Sequence, residues 1–354
     1  SHDSPHTSCQ CNAGYNCTVY TSYDTFIESD YAVSTPSISN YPTGSYNVNA
    51  LAMAPGSNLL YVGRSNYHTA SNFFVIDTTT NSVVTSVQDF QCIWRVTGIA
   101  VSPLNPDISF VAQKASYNWG AGKIAKYDRS ASQCEQSWQD ISFCNGLEIR
   151  ISITNDGQYL IVCCLFSCRE YETATQTQTW SLSIPHYRNN PMDVRGVTYT
   201  SDGLGAYFTT YEYDSSLSDV GVIYKVEISS DRSTASISKW WDTDAYTDVY
   251  MALANIVFDP SYTWLYVSDG KTLLRFDPSD SSSFTKVAGS TNAAQVDGVG
   301  LSASFLYMFS MTFSSSGQLW VGQNPNQAGS SGLRLVDAGT VTEILGGCTA
   351  CPAG

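Results

Sequence analysis

A repeating unit constrains this chain more than any other feature. From about residue 47, an apolar run ends in a turn and is followed at once by a second, strongly β-prone run. The opening runs are 50–55, 98–103, 149–157, 196–203, 255–260 and 309–317. The second runs are 59–63, 108–113, 159–164, 206–210, 264–269 and 318–322. Third runs at 73–77, 123–128, 222–228, 273–277 and 333–337 end at acidic or polar turns. The turn residues Pro55, Pro103, Gly157, Gly203, Pro260 and Gly317 stand 46 to 57 residues apart. No stretch holds a helical apolar period over ten or more residues.

A small antiparallel sheet cannot bury both of its faces alone, so repeats of this length must stack on one another. With Gly, Pro, Asp, Asn and Ser between the runs and a chain rich in tyrosine (23) and tryptophan (8), the expectation is an all-β protein. We expect a β-propeller of six four-stranded blades over residues 47–346. Seven blades is the runner-up if the Ser/Tyr/Pro-rich lead-in, 18–46, supplies further strands.

The run Asp297-Gly298, Gly300, Ala303, Phe305, followed by Gly317-Gln318-Leu319-Trp320-Val321, resembles the NHL-type propeller repeat. Propeller lyases built from that repeat use several metal-binding histidines. Of four histidines here, His2 and His6 are terminal, leaving His68 and His186. No G-x-S-x-G elbow is present. We therefore expect no catalytic residues, no metal and no cofactor. Asp242, Asp244 and Asp248 have spacing that could suit Ca²⁺, but lack the glycine and distal glutamate of an EF-hand loop, so a solvated inter-blade loop is the reading.

Eleven cysteines, Cys9, Cys11, Cys17, Cys92, Cys134, Cys144, Cys163, Cys164, Cys168, Cys348 and Cys351, point to a disulfide-stapled protein in an extracellular or cell-surface setting. A zinc site would need paired C-x₂-C knuckles, and Cys348-x-x-Cys351 stands alone. The odd count leaves one thiol free or bonded outside the chain. The six internal cysteines allow fifteen pairings, and we expect them to tie the second and third units together. Adjacent Cys163 and Cys164 point to opposite sides of a strand and should take different partners. Asn16-Cys17-Thr18 is a sequon.

Residues 1–17 carry Cys9, Cys11, Asn12, Ala13, Gly14 and Tyr15, and residues 347–354 carry Cys348-Thr349-Ala350-Cys351-Pro352-Ala353-Gly354. Together they resemble the two halves of a cysteine-rich, ephrin-receptor-like module of extracellular algal and protist proteins. Cys17 has no place in that pattern. The resemblance implies a propeller inserted inside a small module, with its two ends close together, and a chain that continues beyond both termini after removal of an upstream segment.

Formal net charge is −14, which excludes nucleic acid and anionic membranes as partners, and no apolar run is long enough to span a bilayer. The expected partners are other subunits or neighbouring modules of the same assembly, and glycans. The aromatic residues Tyr67, His68, Tyr117, Trp119, Tyr211, Tyr213, Trp240 and Trp241 fall in loops or loop-flanking positions expected to share one face, where Tyr and Trp serve as interface or sugar-stacking residues. The competing reading is that they pack over their own loops. The expected function is a non-enzymatic structural or interaction propeller of a cell-surface or fibrous assembly. The alternatives are a carbohydrate-binding propeller and, behind it, a propeller lyase or hydrolase, which would need acidic or histidine residues converging on the central channel.

Overall fold

A computed structural model describes residues 8–11, 15–18, 31–42, 47–65, 72–87, 95–114, 122–144, 148–185, 190–213, 220–244, 246, 253–292, 294–323 and 332–338. Two short strands, β1 (Ser8–Cys11) and β2 (Tyr15–Thr18), form a hairpin of their own, with Cys9 opposite Cys17 in the register.

The rest is a ring of six antiparallel sheets. Blade one is β4 (Asn47–Met53), β5 (Leu59–Ser65), β6 (Asn72–Asp77) and β7 (Ser82–Val87). Blade two is β8 (Val96–Val101), β9 (Ile108–Gln113), β10 (Gly122–Asp128) and β11 (Gln133–Ile141). Blade three is β12 (Arg150–Ile153), β13 (Tyr159–Cys164), β14 (Ser167–Glu172) and β15 (Gln178–Ser183). Blade four is β16 (Asn190–Tyr199), β17 (Gly205–Tyr213), β18 (Val220–Ile228) and β19 (Ala235–Asp242). Blade five is β20 (Asn255–Phe258), β21 (Leu265–Ser268), β22 (Thr272–Phe276) and β23 (Phe284–Gly289).

Blade six is built from both ends of the chain. Its first three strands, from the axis outward, are β25 (Met308–Phe313), β26 (Leu319–Gln323) and β27 (Leu333–Ala338). Its fourth strand is β3 (Tyr31–Ser34), with Tyr31 opposite Ala338, and the two-residue β24 (Gly298–Val299) adds an outer edge. The lead-in thus supplies the strand that finishes blade six, which removes the seven-blade alternative.

Each apolar core lies between neighbouring blades. Six buried clusters are found among the described residues, one for each consecutive pair. The cluster that closes the ring joins Trp320 and Leu333 of blade six to Val48, Val62 and Phe74 of blade one.

The turns leaving the inner strands share a chemistry. In Thr154–Gly157 and Thr200–Gly203 the threonine hydroxyl donates to the aspartate two residues on, at 2.5 and 2.6 Å, and that carboxylate accepts the backbone N–H that follows the glycine, at 3.0 Å in both. The glycines take φ of +71° and +67°, the left-handed region that side chains resist. Blade five places Tyr262 at the corresponding position with φ +59°.

Candidate functional site

Inner strands line the axis of a propeller, so the site follows from which of their residues turn inward. Four inner strands break register: between Val48 and Ala50, Val96 and Gly98, Val194 and Gly196, and Met308 and Ser310. A bulge leaves one residue unpaired and re-aims it. The extra residues are Asn49, Thr97, Arg195 and Phe309, and all four line a cavity of about 180 Å³ at the channel mouth. The small residue after each bulge lets the next inner strand come close. A Cβ on Gly196 would lie 2.7 Å from the backbone nitrogen of Ile256.

Side chains lock this arrangement. Thr97 Oγ1 donates to the Ile149 carbonyl at 2.8 Å, and Ser310 Oγ donates to that of Val48 at 3.0 Å. Arg150, buried at the start of β12, donates to the carbonyls of Asn49 (3.0 Å) and Thr97 and reaches Glu148 at 3.3 Å. One guanidinium therefore ties blades one, two and three together.

The mouth is strongly charged. Arg95, Lys114, Arg150 and Arg195 face the cavity with Glu148 and Asp193. Lys114 Nζ stands 3.7 Å from Glu148 and Arg195 stands 3.2 Å from Asp193. Burial pushes the Asp193 carboxyl up to about 6, against the pull of Arg195 and with a further push from Glu148. At the other end of the channel the Tyr262 hydroxyl donates to Asn155 Oδ1 at 2.5 Å, joining blade five to blade three, in a second cavity of about 230 Å³ lined by the inner strands.

The aromatic residues singled out from sequence separate into three groups. Tyr67, His68, Tyr117 and Trp119 lie outside the described residues. Tyr211, on β17, is half-buried with its ring 5.8 Å from the Arg195 guanidinium, so it flanks the charged mouth. Tyr213 ends β17, opposite Asn190. Trp240 and Trp241 pack against neighbouring rings. Trp240 lies edge-on to Tyr207 and Phe276, and Trp241 is 5% exposed, stacked on Tyr246 and edge-on to Phe276 and Phe284. Trp241 serves the core between blades four and five, and the half-buried Trp240 packs against it.

Among the cysteines, Cys144, in the turn leaving blade two, is joined to Cys164 on β13 of blade three. Cys163 is joined to Cys168 across the β13–β14 hairpin, and Cys134 is disulfide-bonded as well. Cys163 and Cys164 thus take different partners. Cys9, Cys11 and Cys17 lie on β1 and β2, with Asn16 opposite Gln10. Cys92, Cys348 and Cys351 lie outside the described residues. Asp242 accepts from Lys239 at 2.5 Å and from the Asp244 backbone N–H at 3.1 Å, in a turn between blades. Among the described residues no three His, Cys, Asp or Glu side chains converge as a metal would need.

The charged mouth was not among the features expected from sequence; Glu148 and Asp193 come together there. The available signal was an apolar residue, one polar residue and a small residue within an inner strand: Val48-Asn49-Ala50, Val96-Thr97-Gly98 and Val194-Arg195-Gly196.

No protein-family model and no curated protein matches the chain. Among solved structures, it is similar to a structural genomics protein of unknown function from Bacteroides thetaiotaomicron, with a TM-score of 0.60 and 18% identity over 86% of this chain and 75% of that one. It is similar to hydrazine synthase of Kuenenia stuttgartiensis, with a TM-score of 0.55 and 17% identity over 81% and 82% of the two chains. It is also similar to the WD40 repeats of RRP9, with a TM-score of 0.52 and 7% identity over 86% and 97%. At such identities the likeness is one of fold: the chain is a six-bladed β-propeller.

Proposed function

We propose that this chain is a non-enzymatic, extracellular interaction propeller, a building block of a cell-surface or fibrous assembly. The observation that carries the reading is the pairing of Tyr31 with Ala338. The chain enters the ring and leaves it at one corner of blade six. The flanking segments that carry Cys9, Cys11 and Cys17 on one side and Cys348 and Cys351 on the other start from that corner. Such an exit suits a ring inserted into a small cysteine-rich module, and the kinship of its repeats to the NHL type belongs to the same proposal.

Two further features support it. Disulfides in blade three and at its junction with blade two suit an oxidising compartment. Val296, Val299 and Leu301, more than a third exposed, lie in and beside β24 at the outer edge of blade six, where apolar side chains suit a neighbouring subunit. The two channel carboxylates each stand against a cation, a network suited to holding the ring rather than to acid–base work. The carbohydrate-binding alternative retains Tyr211 among the described aromatic residues.

The test is the mass of natural material with and without reductant, with glycopeptide mapping at Asn16. The reading expects species heavier than the 38.6 kDa chain that fall apart on reduction, with a terminal cysteine linked to another chain or module. An unmodified monomer with all its disulfides internal would overturn it.

A further inference from the structure

We propose that the face of the ring opposite the charged mouth is a site of O-linked glycosylation, with a sugar-accepting hydroxyl in the outer hairpin of each of blades one to five. The proposal rests on the extracellular reading, since it needs the glycosyltransferases of a secretory route. In these blades the third and fourth strands are joined by turns at 78–81, 129–132, 173–177, 229–234 and 277–283. In the first four, the backbone here bonds to the first-to-second-strand turn of the same blade: Thr78 N–H donates to the Asn58 carbonyl, Arg129 to Asp107, Thr173 to Gln158 and Ile228 to Leu204. The five hairpins therefore share one face. Serine and threonine are common in turns because their hydroxyls bond nearby backbone or carboxylate groups. That accounts for one hydroxyl in each hairpin. Thr80 Oγ1 meets Ser82 Oγ at 2.7 Å, and Ser130 donates to Asp128 (2.7 Å), Thr175 to Glu172 (2.5 Å), Ser233 to Asp231 (2.8 Å) and Ser279 to Asp277 (2.7 Å). It does not account for Thr79, Ser132, Thr177, Ser230, Thr234 and Ser281. All six are exposed, and their hydroxyls bond to no described residue.

A hydroxyl that braces a turn loses its donor proton when modified, whereas a free one can be capped with the turn intact. In the reaction the free hydroxyl oxygen bonds to the anomeric carbon of a sugar activated as its nucleotide or lipid phosphate. The bond from that carbon to the phosphate oxygen breaks, the phosphate leaves with the electron pair, and the hydroxyl proton passes to a base on the transferase. A phosphoryl group is the poorer fit. Serine hydroxyls donating to Asp128, Asp231 and Asp280 hold these carboxyls below the ordinary carboxylate range, so the turns keep their negative charge and repel a second anion. Charged residues make up 14% of the chain against about 25% in ordinary globular proteins, and neutral sugar supplies the hydration that charge does not. A sugar-bearing face also resists stacking on another copy, which leaves the rim, with the outer edge of blade six, for contacts between subunits.

The experiment is site mapping of the natural, full-length protein by electron-transfer mass spectrometry, which leaves sugars on their residues. The proposal expects whole-sugar mass increments on the free hydroxyls in most of the five hairpins, and none on the braced Ser130, Ser233 and Ser279. A variant combining Thr79→Val, Ser132→Ala, Thr177→Val, Ser230→Ala, Thr234→Val and Ser281→Ala, made in the cells that naturally produce the protein, should lose those increments. It should keep a cooperative melting transition, because the replaced hydroxyls hold nothing in the fold. Bare hairpins, phosphate increments, sugar spread equally over braced and free hydroxyls, or increments retained by the variant would overturn the proposal. Its fate separates from that of the assembly reading. Bare hairpins on chains linked through a terminal cysteine sink this proposal alone, and sugar-bearing hairpins on an unlinked monomer sink the assembly alone.

Discussion

Replacing Arg232 with methionine removes half of a buried ion pair between blades three and four. Glu170, on β14, is fully buried. Its Oε1 accepts from Tyr199 at 2.7 Å and from Arg232 at 2.6 Å, and its Oε2 accepts from Thr179 at 2.8 Å. Arg232 also donates to the Gly203 carbonyl at 2.7 Å and lies 3.8 Å above the Tyr159 ring. Breaking a buried pair by removing one partner costs about 3–5 kcal/mol, because the other charge stays buried and uncompensated. Two hydroxyl donors remain on Glu170, which places the loss near the lower end, at about 3 kcal/mol. Glu170→Gln combined with Arg232→Met removes both charges and should recover more than half of that loss, since replacing a whole buried pair is often close to neutral. Equilibrium unfolding in guanidinium chloride on the oxidised protein reads both values, with an unaltered slope showing that the denatured state has not changed. A single-variant loss below about 1 kcal/mol, the level of an exposed pair, or a double variant as damaged as the single one, would refute this reasoning.

Other perturbations test other parts of the ring. Val33 is 3% exposed on the strand that completes blade six, so Val33→Asp buries an unpaired charge at the closure and should abolish a cooperative unfolding transition in thermal scans; retention of a native-like transition would count against closure by β3. The Cys144–Cys164 bridge closes a sequence separation of 20 residues, and its double replacement by alanine should cost about 3 kcal/mol in the same unfolding assay. Asp193 carries a folded-state pKa of about 6 against an ordinary value of 3.8, so the native state holds a proton that the unfolded chain has released between those values. Stability should therefore fall as pH rises from about 4 to about 6 and level off above it, and Asp193→Asn should flatten that segment of the curve. Gly322 has no room for a side chain, since a Cβ there would lie 2.5 Å from Val48 Cγ1 and 2.8 Å from the Val48 carbonyl. Gly322→Val should destabilise by more than about 2 kcal/mol by wedging blades six and one apart, as thermal melting would report.

Physical locality explains what the sequence made legible. The second strands 108–113 and 159–164 coincide with β9 and β13, because a continuous β-branched and apolar run between turns is a signal contained in six residues. Outer strands such as β15, Gln178–Ser183, set the buried Trp180 and half-buried Leu182 among exposed or half-buried Gln, Thr and Ser, and so polar a run reads as loop until a neighbouring strand pairs with it. β3 pairs with a strand some 300 residues away, and nothing in Tyr31–Ser34 announces that partner. The site was hidden for a related reason. Asn49, Thr97 and Arg195 are single polar residues inside apolar strands, and only a register shift against the next strand turns them to the axis. Trp240 and Trp241 looked like surface aromatics because they flank an acidic loop, whereas four aromatic rings from blades four and five wait to cover them.

The most direct test of the account as a whole is disulfide mapping of the unreduced natural protein by proteolysis and mass spectrometry. A disulfide-braced extracellular ring predicts peptides linked through Cys144–Cys164 and through Cys163–Cys168 in nearly all molecules. Free thiols at these four positions in freshly isolated protein would contradict both the bracing of blade three and the oxidising compartment on which the proposed function depends.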